Sequence, residues 1–344
     1  IADDVDDRVN HYCDKYNIDI IIMHDDIQRC EWIKSVTGAP ILYWLPWDNE
    51  DMQNTSYEKV IKHADHVAVL GKFAQEKLSQ IGYQVGQLYD PIDINTYYKD
   101  DEARKKFREN VGIPDDHILI TFIGRPGWRK RPYHVIKIGA ELMKRHDNVH
   151  FLMHTDMENE PSWGINPKEL IYGEGIYKDD RFIIPSDFRY DVGFPTEVMN
   201  QIYNATDIYF APHGGEGMGL PLAEAMATET PIVATDFTTT QEFCGYDNES
   251  SNLRGVRGCG AKIGKKPDGS PMIFRDRGIL RPYVDIEHMI EQIEWLMEHP
   301  EVRESMGKEG RKFVEKELDA NAVAEKLQQI ISFMTFYNKG EIID

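Results

Sequence analysis

The chain lacks the features that would tie it to several common classes. It has four cysteines, Cys13, Cys30, Cys244 and Cys259, and no C-x-x-C pair. That spacing excludes a metal framework and a small disulfide scaffold, and it predicts reduced thiols in a cytoplasmic protein. No apolar run approaches the roughly 18 residues that a membrane span requires, so no transmembrane helix is expected. No signal peptide is visible. Basic charge is scarce: 39 Lys and Arg face 59 Asp and Glu, a net charge of −20. So acidic a surface excludes broad nucleic-acid binding and a large footprint on anionic membranes, except where basic residues cluster. Internal repeats and low-complexity tracts are also missing. What remains is 344 residues, 41% hydrophobic and 11% aromatic. That is enough for two ordinary domains with substantial cores.

The pattern alternates between strand and helix, the signature of a parallel α/β sheet. Residues 1–17 read as a polar helix with an apolar stripe. Strands follow at 18–23, 41–45, 66–70 and 84–88, and helices at 27–36, 56–63 and 72–81. Ligands in such sheets bind beyond the carboxyl ends of the strands. His24-Asp25 and Trp47-Asp48 stand at those ends, on the binding edge. After a helix at 101–110 the pattern restarts, with strands at 117–123, 149–154, 181–184, 208–210 and 231–235. Helices are expected at 133–145, 195–204, 285–298, 301–317 and 320–337. Residues 155–180 and 246–282 are rich in Gly, Pro and charge and read as loops, either a lid or short elements without a periodic signal. Asp4-Val5-Asp6 has the Asp-x-Asp spelling of a metal site but falls in the opening polar helix, so no metal is assigned to it.

Residues 211–226 organise the rest. They read Ala-Pro-His-Gly-Gly-Glu-Gly-Met-Gly-Leu-Pro-Leu-Ala-Glu-Ala-Met. An apolar strand runs into a glycine loop, and Pro221 marks the start of a helix, where its fixed φ fits and its missing N–H is not needed. Such a helix terminus carries free N–H groups and partial positive charge, which suit a phosphate. Gly217 and Gly219 would let a ligand approach the backbone. Glu216 lies in the loop, and Glu224 is expected in the first helical turn. A second cluster, the basic loop Gly124-Arg125-Pro-Gly-Trp-Arg129-Lys130-Arg131, follows the first strand of the second half. It would open on the same sheet edge, and fixed cations there can stabilise a leaving diphosphate.

Glu216 to Glu224 resembles the E-x7-E motif of the family-4 retaining glycosyltransferases, and the likeness extends over most of residues 18–335. It leans toward mannose-transferring and virus-encoded members. The resemblance implies a GT-B fold, in which two Rossmann-like, doubly wound α/β domains face each other across a cleft. Residues 1–98 would form the acceptor-side domain, 99–318 the nucleotide-sugar domain, and 319–344 a helix crossing back to the first. It further implies that Glu216 reaches the donor sugar and that Gly217, Met218, Gly219 and Leu220 hold sugar and diphosphate. Glu224 would bind the ribose, and Arg125 and Lys130 the diphosphate. Arg131 stands where many members have Gly. Residues 185–189 would lie near the base.

The implied reaction moves a hexose from a nucleoside-diphosphate sugar, GDP-mannose before a UDP-hexose, to a hydroxyl of a glycan, lipid or protein-glycan acceptor. It retains configuration and needs neither cofactor nor metal. A peripheral membrane location is compatible with it. Two family features are missing: the glycine-rich loop after the first strand, as if roughly 60 residues preceded the chain, and a His near Leu45-Pro46-Trp47-Asp48, whose place on the sugar or acceptor side Asp48 or His24 would take. These leave open a nucleotide-sugar binder without turnover. An epimerase or a phosphorylase on the same fold is the other alternative.

Overall fold

The computed structural model describes residues 5–49, 55–157, 166–185, 193–246, 251–276 and 278–338. Strands β1 (Ile21–Met23), β2 (Ile41–Leu45), β3 (His66–Val69) and β4 (Gly86–Gln87) pair in parallel, in the order β1-β2-β3-β4. β2 and β3, the central strands, are the most buried, as parallel strands covered on both faces are. One face carries Val60, Ile61, Ala74 and Leu78 from helices Thr55–His63 and Lys72–Gln80. On the other face lies the last helix, Ala320–Asn338, whose Val323, Leu327, Ile330 and Met334 meet Leu42, Ala68 and Leu88.

One expected helix is not α-helical. Residues 27–36 form two 3₁₀ turns, Ile27–Arg29 and Glu31–Ser35. The buried residues are Ile27, Cys30, Ile33 and Val36. They recur every third position, and a three-residue turn puts all four on one face where an α-helix would rotate them away.

The second sheet holds β5 (Ile118–Ile123), β6 (Val149–His154), β7 (Phe182–Ile183), β8 (Ile208–Ala211), β9 (Ile232–Thr235) and β10 (Gly258–Ala261). Their order is β10-β9-β8-β5-β6-β7, all parallel. This is the doubly wound order, and it reverses between β5 and β8, where Ile120 pairs with Ile208. The chain leaves those two neighbours in opposite directions, so a crevice opens above their carboxyl ends. The helix leading in, Asp101–Val111, is capped by Asp100, whose side chain accepts from Ala103 N, and ends at Gly112 with φ 73°.

The two long expected loops contain elements. Residues 155–180 include the helix Pro167–Glu174. Residues 246–282 include β10 and an antiparallel hairpin, β11 (Ile273–Asp276) with β12 (Ile279–Pro282). β10 reads Gly-Cys-Gly-Ala, with too little side chain to show a period. Its smallness is structural: a Cβ on Gly258 would stand 2.5 Å from the Ile232 backbone oxygen. No helix among the described residues is long and apolar enough to cross a membrane. All four cysteines are free and buried.

Candidate functional site

The site is built on the loops after β5 and β8. The first passes Gly124 and Arg125, makes the 3₁₀ turn Trp128–Lys130, and enters helix Pro132–Arg145 through Arg131. The second runs from Pro212 to Gly219, where φ is 87°, and opens helix Leu220–Ala227 with Pro221 in its first turn. Glu224 is the fifth residue of that helix and so lies in its second turn, not the first as the sequence suggested.

The two loops are tied together. Gly214 N donates to Arg129 O (2.8 Å), and Arg129 Nη1 donates to Gly215 O (2.7 Å). A third segment braces them from behind: Glu216 N donates to Thr238 Oγ1 (3.0 Å), and Thr239 Oγ1 donates to Gly217 O (2.7 Å).

Glu216 is the centre of this knot, with only 4% of its surface exposed. Lys130 Nζ is 2.6 Å from Oε1, Arg129 Nη1 2.5 Å from Oε2, and His213 Nδ1 2.5 Å from Oε1. Burial alone would raise the pKa of this carboxyl. Arg129, Lys130 and His213 outweigh burial and hold it well below the usual range. His213 is pulled down to about 4 by burial and by Lys130, and is therefore neutral at pH 7. Buried charges are kept only when paired, and here one carboxylate meets two cations. The excess positive charge sits beside a helix N-terminus, which is the local electrostatics of an anion site.

A cleft of about 330 Å³ lies between the two sheets. Its second-domain wall includes Lys130 and the run from Glu216 to Leu220, and its first-domain wall includes His24, Asp48 and Asp90. Eight of the ten sequence-selected residues are thus brought to one cavity: His24, Asp48, Lys130, Glu216, Gly217, Met218, Gly219 and Leu220. Arg125 and Glu224 are not part of its lining. Arg125 is exposed at the start of its loop. Glu224 is half-buried behind the helix start, where its Oε2 accepts from Tyr203 OH at 2.6 Å. Burial raises the Glu224 pKa, against the hydrogen bond from Tyr203. Residues 186–189, most of the segment expected near the base, lie outside the described residues.

The first-domain wall is tightly tethered. His24 Nδ1 lies 2.9 Å from Trp44 O. A carbonyl only accepts, so Nδ1 carries the hydrogen, and Nε2 faces Asp90 Oδ1 at 3.4 Å. Asp90 N in turn donates to Met218 Sδ (3.1 Å), joining this wall to the glycine loop. The approach that Gly217 permits is taken by the protein itself: a Cβ there would stand 3.2 Å from Pro46 Cβ. Asp48 accepts from Arg281 Nη1 at 2.7 Å and Nη2 at 3.2 Å. Arg281, on β12, also lines the cleft. Its position in a stretch read as loop gave no signal. Asp90 was not among the residues the sequence singled out. His213 had one signal, its place three residues before Glu216.

Residues 117–251 match the family described as glycosyl transferases, group 1. The match falls in the second half of the chain, the half that holds Lys130 and the Glu216 loop. The fold of the whole chain is GT-B. It superposes on sucrose-phosphate synthase from Thermosynechococcus elongatus with TM-score 0.71 at 17% identity, covering 95% of this chain and 76% of that one. Anabaena HepE in complex with UDP-glucose gives TM-score 0.71 at 15% identity, covering 95% and 81%. Among curated relatives, the D-inositol 3-phosphate glycosyltransferase of Corynebacterium efficiens is 27% identical over 198 residues, 54% of this chain and 45% of that protein. The Corynebacterium urealyticum protein of the same name is 31% identical over 138 residues, 39% and 31%. The chain spans less than half the length of the curated relatives it matches.

Proposed function

We propose that the protein is a glycosyltransferase that moves a hexose from a nucleoside-diphosphate sugar to an acceptor hydroxyl, with retention of configuration. The observation that carries this reading is the saturation of Glu216 by Lys130, Arg129 and His213 beside the start of helix Leu220–Ala227. The group 1 match over the same residues supports it.

In this reading the diphosphate lies against the helix start and Lys130, with Arg125 swinging in from the loop edge. Negative charge that builds on the leaving group meets fixed cations and backbone N–H groups that need no rearrangement. The transition state is oxocarbenium-like. Glu216 does not attack the sugar. Both its oxygens are held by positive or donor groups, which makes it a poor nucleophile, and its task is to orient sugar hydroxyls. Retention then follows from attack on the face the diphosphate leaves, with a phosphate oxygen taking the acceptor proton. No divalent ion is required, since Lys130, Arg125 and the helix terminus neutralise the leaving charge. Glu224 holds the ribose once Tyr203 yields one of its lone pairs.

The donor is GDP-mannose or a UDP-hexose. The solved neighbours with a named nucleotide carry UDP or UDP-glucose, and they give no support for ranking GDP-mannose first. The acceptor is a glycan, lipid or protein-glycan hydroxyl, used in the cytoplasm. The test is donor turnover in chelator-treated buffer, with the product's anomeric configuration read by NMR. Release of a nucleoside diphosphate with the axial or equatorial linkage preserved supports the reading. Inverted product rejects retention, and binding without any release leaves a nucleotide-sugar binder.

A further inference from the structure

The β11–β12 hairpin lies outside the group 1 match, which ends at residue 251, and it too reaches the first-domain wall. It does so through two neighbouring contacts. Arg281 forks onto both oxygens of Asp48, with only 7% and 13% of the two side chains exposed. One residue before, Leu280 N donates to Asn49 Oδ1 at 3.3 Å. A bidentate guanidinium–carboxylate pair is directional as well as strong, so this contact sets an angle between the two halves and not merely a distance.

The root of the hairpin is held just as firmly. Arg131 Cζ sits over the Tyr283 ring, 3.8 Å from its centroid, with Phe274 at 4.7 Å. Its Nη2 donates to Arg281 O (3.1 Å) and Pro282 O (2.8 Å). To do so Arg131 adopts φ 56°, a conformation that costs a side-chain-bearing residue free energy. Glycine would take it without cost but could make none of these contacts. Arg131 directly follows Lys130, the cation on Glu216. A continuous chain of contacts therefore runs from the Glu216 knot through Arg131 and the hairpin to Asp48 on the opposite wall.

We infer that the Asp48–Arg281 pair is an interdomain latch and that the hairpin is the positioning element that closes the cleft for transfer. Asp48 is a positioning residue in this account, not a group that touches the sugar. The latch rests on the proposed function only for its effect on turnover. Its structural part stands without that reading.

The experiment uses the full chain and four variants: Arg281→Gln, Asp48→Asn, Arg281→Lys, and the exchange Asp48→Arg with Arg281→Asp. Far-UV circular dichroism checks that each is folded. Small-angle scattering of the unliganded chain reads closure. Calorimetry with the nucleoside diphosphate that binds wild type, and transfer from the corresponding donor, read the site. The latch predicts a larger radius of gyration for both Arg281→Gln and Asp48→Asn. It predicts diphosphate affinity within about threefold of wild type, because that ligand needs only second-domain groups. Transfer should fall on the order of 100-fold, as expected when reacting groups are misplaced by an ångström or so. Arg281→Lys should recover part of the rate and the exchange more of it. Unchanged scattering in both folded single variants overturns the latch. So does a collapse of diphosphate affinity in Arg281→Gln alone, which would make Arg281 a ligand contact. If wild type binds no nucleoside diphosphate, the proposed function fails, while scattering still decides the latch.

Discussion

The two walls of the cleft are made in different ways. The second-domain wall is local. Lys130 follows β5, Glu216 follows β8, and these strands are neighbours at the point where the sheet order reverses. Any chain that folds into this sheet must bring those two loops together. The first-domain wall is assembled from distant parts. His24 is held by Trp44 and Asp90, and Asp48 by Arg281, which is 233 residues away. A wall of the first kind can be read from motif spacing, whereas one of the second kind exists only once both halves have docked.

The largest effect should come from breaking the local wall. Glu216→Gln removes the carboxylate while leaving the Lys130 and Arg129 cations beside it. Transfer should fall about 100- to 1000-fold, the loss typical when a preorganised electrostatic group is removed, with a smaller change in donor affinity. Steady-state kinetics separates the two, and an effect on KM alone would contradict the role given to Glu216.

The bridge between the walls should matter next. Arg131→Gly relieves an unfavourable backbone conformation, a gain of about 1 kcal/mol. It also removes two buried hydrogen bonds from a charged donor and the stacking on Tyr283. The net result should be a loss of about 2 kcal/mol in unfolding free energy. Denaturant titration checks this, and a stabilised variant would show that the hairpin is not clamped.

A further contact between the halves carries a pH signature. Glu242, on helix Thr239–Cys244, accepts at Oε2 from Lys72 N, the first residue of helix Lys72–Gln80 in the first domain (3.0 Å). Burial lifts its pKa to about 7, against the hydrogen bond from Lys72. A carboxyl raised in the folded state contributes stability that is full below its unfolded value, near 4.5, and is lost as pH rises through 7. Wild type should therefore lose about 3 kcal/mol relative to Glu242→Gln between pH 4.5 and 8. The difference between the two proteins is the proper readout. His134, His150, His154 and His213 are pulled down to about 4, chiefly by burial, and they lose stability in the opposite direction, as pH falls below 6.5. A difference that stays flat with pH would rule out the Glu242 contact as titrating.

The contrast between the walls also explains what the sequence alone made legible. The alternating strands, the restart after residue 98 and the loop–helix element at Glu216 were readable because each is set by neighbours in sequence. The 3₁₀ turns at residues 27–36 were not, since a three-residue burial period and an α-helical one differ little over ten positions. β10 was invisible because glycine packing against Ile232 leaves no apolar pattern. Arg281 had no local mark at all. Asp48 could be selected from its place at a strand end, but its guanidinium partner could not be seen.

In the proposed reaction the Lys130 and Glu216 loops hold a nucleoside diphosphate. The most direct measurement is calorimetric titration of UDP, GDP and ADP, without divalent metal, into wild type, Lys130→Ala and Glu224→Ala. We expect one of the three to bind wild type in the micromolar range. Lys130→Ala should weaken it about 30-fold, the loss of a charged hydrogen bond in a desolvated site. Glu224→Ala should weaken it less, through the ribose. No binding of any of the three, or binding untouched by Lys130→Ala, would contradict the account.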